Sequence, residues 1–205
     1  MVKKRIQRTL RISKYVIYKE TLVDYKENVL SFIGAFLGIG IIAFWQSHLL
    51  PQTEMVFLIG SFGASSVLIY GAVQSPLAQP RNLIGGHVIS AFVGVTVYKF
   101  FPDVIWLTAP FAVAASIVFM QVTKTLHPPG GATALLAVIG TEKIKALGYL
   151  YVITPVFSGA VILFIVALLF NNMSRDRKYP TNSRFTRYFK MKVFRSLARK
   201  TNQSV

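Results

Sequence analysis

The stretch His127-Pro128-Pro129-Gly130-Gly131-Ala132-Thr133-Ala134-Leu135-Leu136 decides how the rest of the chain is read. Proline fixes φ and is tolerated in the first turn of a helix, where an amide hydrogen has no intrahelical acceptor. The string therefore predicts a helix starting at Pro128 with His127 at its cap. The apolar run ends at Gly140 and measures about 20 Å at 1.5 Å per residue, too short to cross a hydrocarbon core of about 30 Å. An earlier stretch, Gly60-Ser61-Phe62-Gly63-Ala64-Ser65-Ser66, has the same character. Aligning Gly63 to Leu68 with Gly131 to Leu136 repeats the order glycine, small, hydroxyl, small, aliphatic, aliphatic. Paired, glycine-interrupted apolar segments in the two halves of a membrane chain are the sequence mark of a transporter's binding site.

Outward from these segments, charge-free runs mark the membrane. Residues 29–45, 83–101, 104–122 and 147–170 are each long enough to span it, whereas 55–73 is ambiguous and 128–140 is short. The expected fold class is all-α: a polytopic helical membrane protein with four long transmembrane helices and two short glycine-rich broken or re-entrant helices in two pseudo-repeats. Both four and six crossings agree with the charges, and the loop charges slightly favour six. Six crossings give three passes in each of 29–101 and 104–170, which makes the halves inverted repeats.

The net charge of +16 is unevenly placed. Eight Lys or Arg stand against three acidic residues before Asn28, and ten against Asp176 alone after Ser174. Basic clusters beside the first and last spans put both termini on the cytoplasmic side of the cell membrane. The chain thus divides into a basic amphipathic segment, 1–27, a transmembrane domain, 28–172, and a basic tail, 173–205. The first segment lacks the short apolar core of a cleaved leader, so the first span is expected to serve as an uncleaved anchor. In the tail Phe185, Phe189, Val193 and Leu197 recur every four residues, with Arg184, Arg187, Arg195 and Arg199 largely opposite. That pattern fits a surface helix on anionic headgroups better than a nucleic-acid arm.

The expected chemistry is anion binding. Gly130 and Gly131 carry no side chain to shield the backbone at the positive end of a helix dipole, so their N–H groups are expected to be open to a ligand. Gly63 takes the equivalent place in the first segment, and Ser61, Ser65 and Thr133 add hydroxyl donors. Arg81, Lys124 and His127 add charge or charge-assisted hydrogen bonds. His87, after Gly85-Gly86 inside a span, is either a helix–helix hydrogen bond or a lining residue. Proton coupling through His127 or His87 is open to the chain, although no acidic relay accompanies them. No catalytic residues are expected, because the carboxylates of the body, Glu54, Asp103 and Glu142, all fall at span ends. With no cysteine and three scattered histidines, no metal site or cofactor is expected either.

The two short segments, together with Ser75-Pro76-Leu77-Ala78-Gln79-Pro80-Arg81-Asn82-Leu83-Ile84-Gly85-Gly86-His87, resemble the HPP family of integral membrane proteins over roughly residues 28–172. That family is described as having four transmembrane spans and as transporters, with plastid members in plants assigned to nitrite transport. The resemblance implies a small-anion transporter with nitrite as the leading candidate substrate. A membrane scaffold or assembly protein is the alternative, and an intramembrane enzyme ranks lower. So short a body leaves few helices to enclose a pathway, which makes a homodimer plausible.

Overall fold

The computed structural model describes residues 25–49, 59–101, 104–174 and 177–182. These residues form seven α-helices and connecting turns, with four rods long and apolar enough to cross a membrane. The long rods are α1 (Tyr25–Leu49), α3 (Pro80–Phe100), α4 (Ile105–Val122) and a composite of the π-helical turn Val152–Phe157 with α7 (Ser158–Asn171). Between them lie two short helices, α2 (Gly60–Ser66), which widens into the π-helical turn Val67–Gly71, and α5 (Pro128–Ile139). The single-turn helix α6 (Glu142–Ala146) follows α5.

Beside a buried core, the long rods turn large apolar side chains outward. Phe32, Phe36, Phe44 and Trp45 of α1 and Trp106 and Phe119 of α4 are exposed on the isolated chain, as helices bathed in acyl chains require. Half of the α3 span is buried, against 17% of α1, so α3 is the central rod and α1 a peripheral one. Helices in lipid associate through close packing of small residues, and α3 does so against α5. A Cβ on Gly94 would stand 2.6 Å from the Ala134 carbonyl oxygen and 2.9 Å from the Ala137 Cβ. Only glycine permits that approach.

Contacts at the helix ends fix the path of the chain. Arg177, following α7, donates from Nε to Glu27 Oε2 at 2.7 Å, so the start of α1 and the end of α7 share one face. On that Arg177 face the Tyr70 carbonyl accepts from Ser31 Oγ at 2.7 Å, and Ile69 O accepts from Asn171 Nδ2 at 2.8 Å. The end of the first short segment therefore lies there too, whereas α1, about 36 Å long, carries Leu49 to the opposite face. Tyr179 Oη donates to the Ala78 carbonyl at 2.8 Å, which places the start of α3 on the Arg177 face. Arg81 Nη2 donates to Thr123 O at 2.8 Å, so α4 ends where α3 begins.

Helix α5 then runs parallel to α3: His127 lies against Gly86, and Ala134 and Ala137 against Gly94. Its far end sits where Lys145 covers the Tyr98 ring at 5.5 Å and Lys99 covers Tyr149 at 5.6 Å, on the opposite face. From there the last rod returns to Arg177. Helix α2 thus runs toward the Arg177 face and α5 away from it, while residues 50–58 before α2 fall outside the described residues. Four rods are long and apolar enough to cross, the two short helices lie among them, and the described elements of the two halves run in opposite directions, in keeping with inverted repeats.

Two boundaries differ from the sequence reading. The last rod begins at Val152, not 147, because α6 and a turn through Gly148, whose φ is +51°, occupy the approach. Buried residues also continue past 172. Arg177 is 3% exposed and Tyr179 fully buried, and Asn172 Nδ2 bonds to the Tyr179 carbonyl. The amphipathic patterns expected at 2–17 and 185–197 fall outside the described residues, as does Glu54.

Candidate functional site

Hydroxyl and imidazole groups buried in an apolar body must find partners inside it, because an unpaired buried polar group costs on the order of 1–3 kcal/mol. Here the partners come from both halves. Ser61 and Ser65 stand one helical turn apart on α2 and face α5 and α3. Ser65 Oγ lies 2.7 Å from His87 Nε2 and 2.9 Å from His127 Nε2, and it also donates to the Ser61 carbonyl at 3.1 Å. His87 Nδ1 is 2.7 Å from Thr133 Oγ1, which donates to Ser61 Oγ at 3.0 Å. His127 Nδ1 is 2.9 Å from the Leu77 carbonyl in the 3-10 turn Pro76–Ala78.

The five side chains Ser61, Ser65, His87, His127 and Thr133 are at most 1% exposed. Tyr151 Oη donates to the Thr133 carbonyl at 3.1 Å, tying the cluster to the last rod. The two imidazole rings meet edge to face at 5.0 Å, and Phe62 closes the other side of His87 at 5.5 Å. His87 lies about 10 Å along α3 from its Pro80 end, so the cluster sits roughly a third of the way along that rod.

Local sequence explains each placement. His127 precedes two prolines, so it is extended (φ −139°, ψ 105°) and its ring is thrown back beside the helix start. Gly86 allows this, because a Cβ there would collide with the Cβ of His127. The amide of Gly130 is not open to a ligand: it donates to the His127 carbonyl at 2.8 Å, closing the first turn. Gly131 faces α4, where a Cβ would meet only Val113 Cγ1 at 3.7 Å.

Of the other expected site residues, Gly63 is exposed on the opposite side of α2 with nothing near it. Arg81 and Lys124 are exposed on the Arg177 face, Arg81 closing the end of α4 and Lys124 forming its turn at φ 56°. His87 makes the helix–helix hydrogen bonds that its position allowed.

Three residues escaped the sequence reading. Ser90, one turn beyond His87 on the same face of α3, is fully buried, and its Oγ has no hydrogen-bond partner. It points at the first turn of α5, 2.7 Å from where a Gly130 Cβ would stand. The i, i+3 spacing from His87 was the available signal. Tyr151 carried none beyond being an aromatic at a span end. Arg177 was hidden in a run of basic residues, yet it binds Asn171 Oδ1 and Tyr70 O from Nη1 and Ser31 Oγ and Glu27 O from Nη2.

Next to this cluster, on the Arg177 face, opens a cleft of about 510 Å³ lined by Gln74, Pro76, Gln79, Arg81 and Thr181 among others. Its Pro76 belongs to the turn whose Leu77 carbonyl holds His127.

A sequence profile described as "HPP, transmembrane region" matches residues 20–180. Two proteins of Dictyostelium discoideum, each named a transmembrane protein, are similar to the chain. One is 43% identical over 160 residues, covering 77% of this chain and 51% of the relative. The other is 42% identical over 163 residues, covering 77% and 56%. The chain therefore spans about half the length of these relatives. No solved structure matches it. With the profile running from the start of α1 through Tyr179 and the buried cluster built from its namesake His-Pro-Pro string, the chain belongs to the HPP transmembrane region family, as a multi-pass membrane protein.

Proposed function

We propose that this chain is a membrane carrier of a small monovalent inorganic anion, nitrite being the leading candidate. The observation that supports it is the meeting of two short helices of opposite direction at a buried cluster of hydroxyls and imidazoles. A protein that only anchors others has no need of such an interior. The first turn of α5 supplies the positive end of a helix dipole, and the unspent Ser90 hydroxyl beside it is a donor awaiting an acceptor. The cleft beside Arg81 is the approach from the Arg177 face. Access requires α2 and α5 to part, since the cluster is sealed in this arrangement.

The basic flanks support a cytoplasmic position for both termini, with the tails against anionic headgroups. The carrier works without a catalytic step or cofactor, as a single chain or a homodimer. A scaffold role is the second reading, favoured by one observation: apart from Ser90, the cluster's side chains already bond to one another.

Uptake into proteoliposomes of nitrite, nitrate, formate and chloride tests the choice. The expected result is saturable flux of one anion that falls at least about tenfold in His127→Ala, the loss of one buried polar partner being worth 1.5–3 kcal/mol where charge is involved. No flux above empty vesicles for any of the four sinks the carrier reading in favour of the scaffold.

A further inference from the structure

Counting hydrogens in the buried cluster leads past the identity of the substrate. The Leu77 carbonyl can only accept, so the hydrogen of neutral His127 sits on Nδ1 and its Nε2 is bare. Thr133 Oγ1 has Ser61 Oγ at 3.0 Å and the Pro129 carbonyl at 3.4 Å to donate to; with its one hydrogen given to either, it accepts from His87, whose hydrogen is then on Nδ1 as well. Both Nε2 atoms therefore present lone pairs to the same hydroxyl. Ser65 owns one hydrogen and has three acceptors around it: the two imidazole nitrogens at 2.7 and 2.9 Å and the Ser61 carbonyl at 3.1 Å. With both rings in this tautomer the neutral network is one proton short.

We infer that His87, Ser65 and His127 form a proton-binding site that takes up one proton, shared by the two imidazoles through the Ser65 hydroxyl. A proton from water adds to the lone pair of one Nε2. That nitrogen then donates to Ser65 Oγ, whose hydrogen turns to the other Nε2, and each of the three groups gains a complete set of partners. The rings exchange roles by moving two hydrogens along the bridge, with no change in net charge. The titratable groups facing the site are few. His87 comes from α3, His127 from the lead-in of α5 and Tyr151 from the last rod, while α2 offers hydroxyls and Phe62, and the 76–78 turn a carbonyl.

With no carboxylate bonded to it among the described residues, the added charge is left for an anion to neutralise. The unspent Ser90 hydroxyl and the start of α5 lie one turn away along α3. For its role, the inference rests on the carrier reading: proton and anion move together, as an electroneutral pair. Proton uptake itself does not depend on that reading.

The test is nitrogen-15 NMR of histidine-labelled protein in bilayers, in a His48→Gln background that leaves the two buried rings alone. At high pH both rings are expected to carry hydrogen on Nδ1. As the pH falls across about pH 9 to 4, one proton enters in a single step that moves both Nε2 resonances together. Ser65→Ala should split this into unequal, independent ring responses, and Ser65→Thr, which keeps the hydroxyl, should restore it. An Nε2-bound hydrogen on His87 at high pH, rings silent over the whole range, or an unchanged joint step in Ser65→Ala overturns the site. Anion uptake driven by a pH gradient is the companion measurement. A shared proton without flux of any anion defeats the carrier reading and leaves the proton site standing, whereas flux without a shared proton defeats the proton site alone.

Discussion

The two short helices follow matching paths through opposite halves of the molecule and are finished differently at their ends. The first runs from Gly60 to a π-helical turn whose carbonyls, Ile69 O and Tyr70 O, are gripped by Asn171, Ser31 and Arg177 on one face. The second is specified at its beginning, where two prolines and the His127 cap set its start and Gly130 closes the first turn. Thus α2 is fastened where it ends and α5 where it starts, and both fastenings lie toward the Arg177 face. The repeat preserves the backbone route and the hydroxyls, Ser65 against Thr133, but the imidazoles belong to only α3 and the α5 cap. Internal symmetry built the crossing pattern, and departures from it built the chemistry.

Removing the fastening of α2 is the harshest way to break this comparison. Arg177→Ala strips five hydrogen bonds and leaves Glu27, Asn171 and two backbone carbonyls facing an empty position. Truncating one partner of a buried ion pair costs 3–5 kcal/mol, and the lower end, about 3 kcal/mol, is expected because the Glu27 side chain is 32% exposed. Thermal unfolding in detergent should show this as the largest loss of the set. A wild-type melting curve would mean that Ser31, Asn171 and packing hold the end of α2 without Arg177. Gly94→Val attacks α5 instead, driving a branched side chain into the Ala134 carbonyl at 2.6 Å and Ala137 at 2.9 Å. Overpacking of this kind costs about 1–3 kcal/mol, and the same melt should rank it second.

How much of this was legible beforehand follows the range of the interactions. Gaps between charges gave the four long rods, because exclusion of charge from lipid acts residue by residue. Proline chemistry gave the start of α5 and the place of His127, since both effects are local. The buried cluster was half visible. Its members were singled out one at a time, but the bonds joining Ser65 to His87 and His127 span 22 and 62 residues, and no periodicity reports a contact of that kind. Arg177 was misread for a related reason. Net charge counts a buried arginine and a solvated one alike, and only the partners Glu27 and Asn171, supplied by two other helices, separate them. Arg81, expected to add charge for an anion, donates instead to a carbonyl at the end of α4.

The smallest expected effect separates neighbours that the sequence treats alike. Gly130 and Gly131 were read as a pair opening the backbone to a ligand, yet a Cβ on Gly130 would stand 2.7 Å from Ser90 Oγ and 2.9 Å from Met120 Sδ, and one on Gly131 would make only ordinary contact at 3.7 Å. Gly131 is helical, with no left-handed φ among its constraints, so Gly131→Ala reduces the freedom of the unfolded chain at no steric cost. It should stabilise the protein by about 0.4–1 kcal/mol and leave anion uptake unchanged. The same methyl on Gly130 is pressed against a buried hydroxyl without a partner, so it should lower both stability and uptake. Equal effects from the two substitutions would mean that the first turn of α5 is open on both sides, and Ser90 would lose its claim to mark where the anion lies.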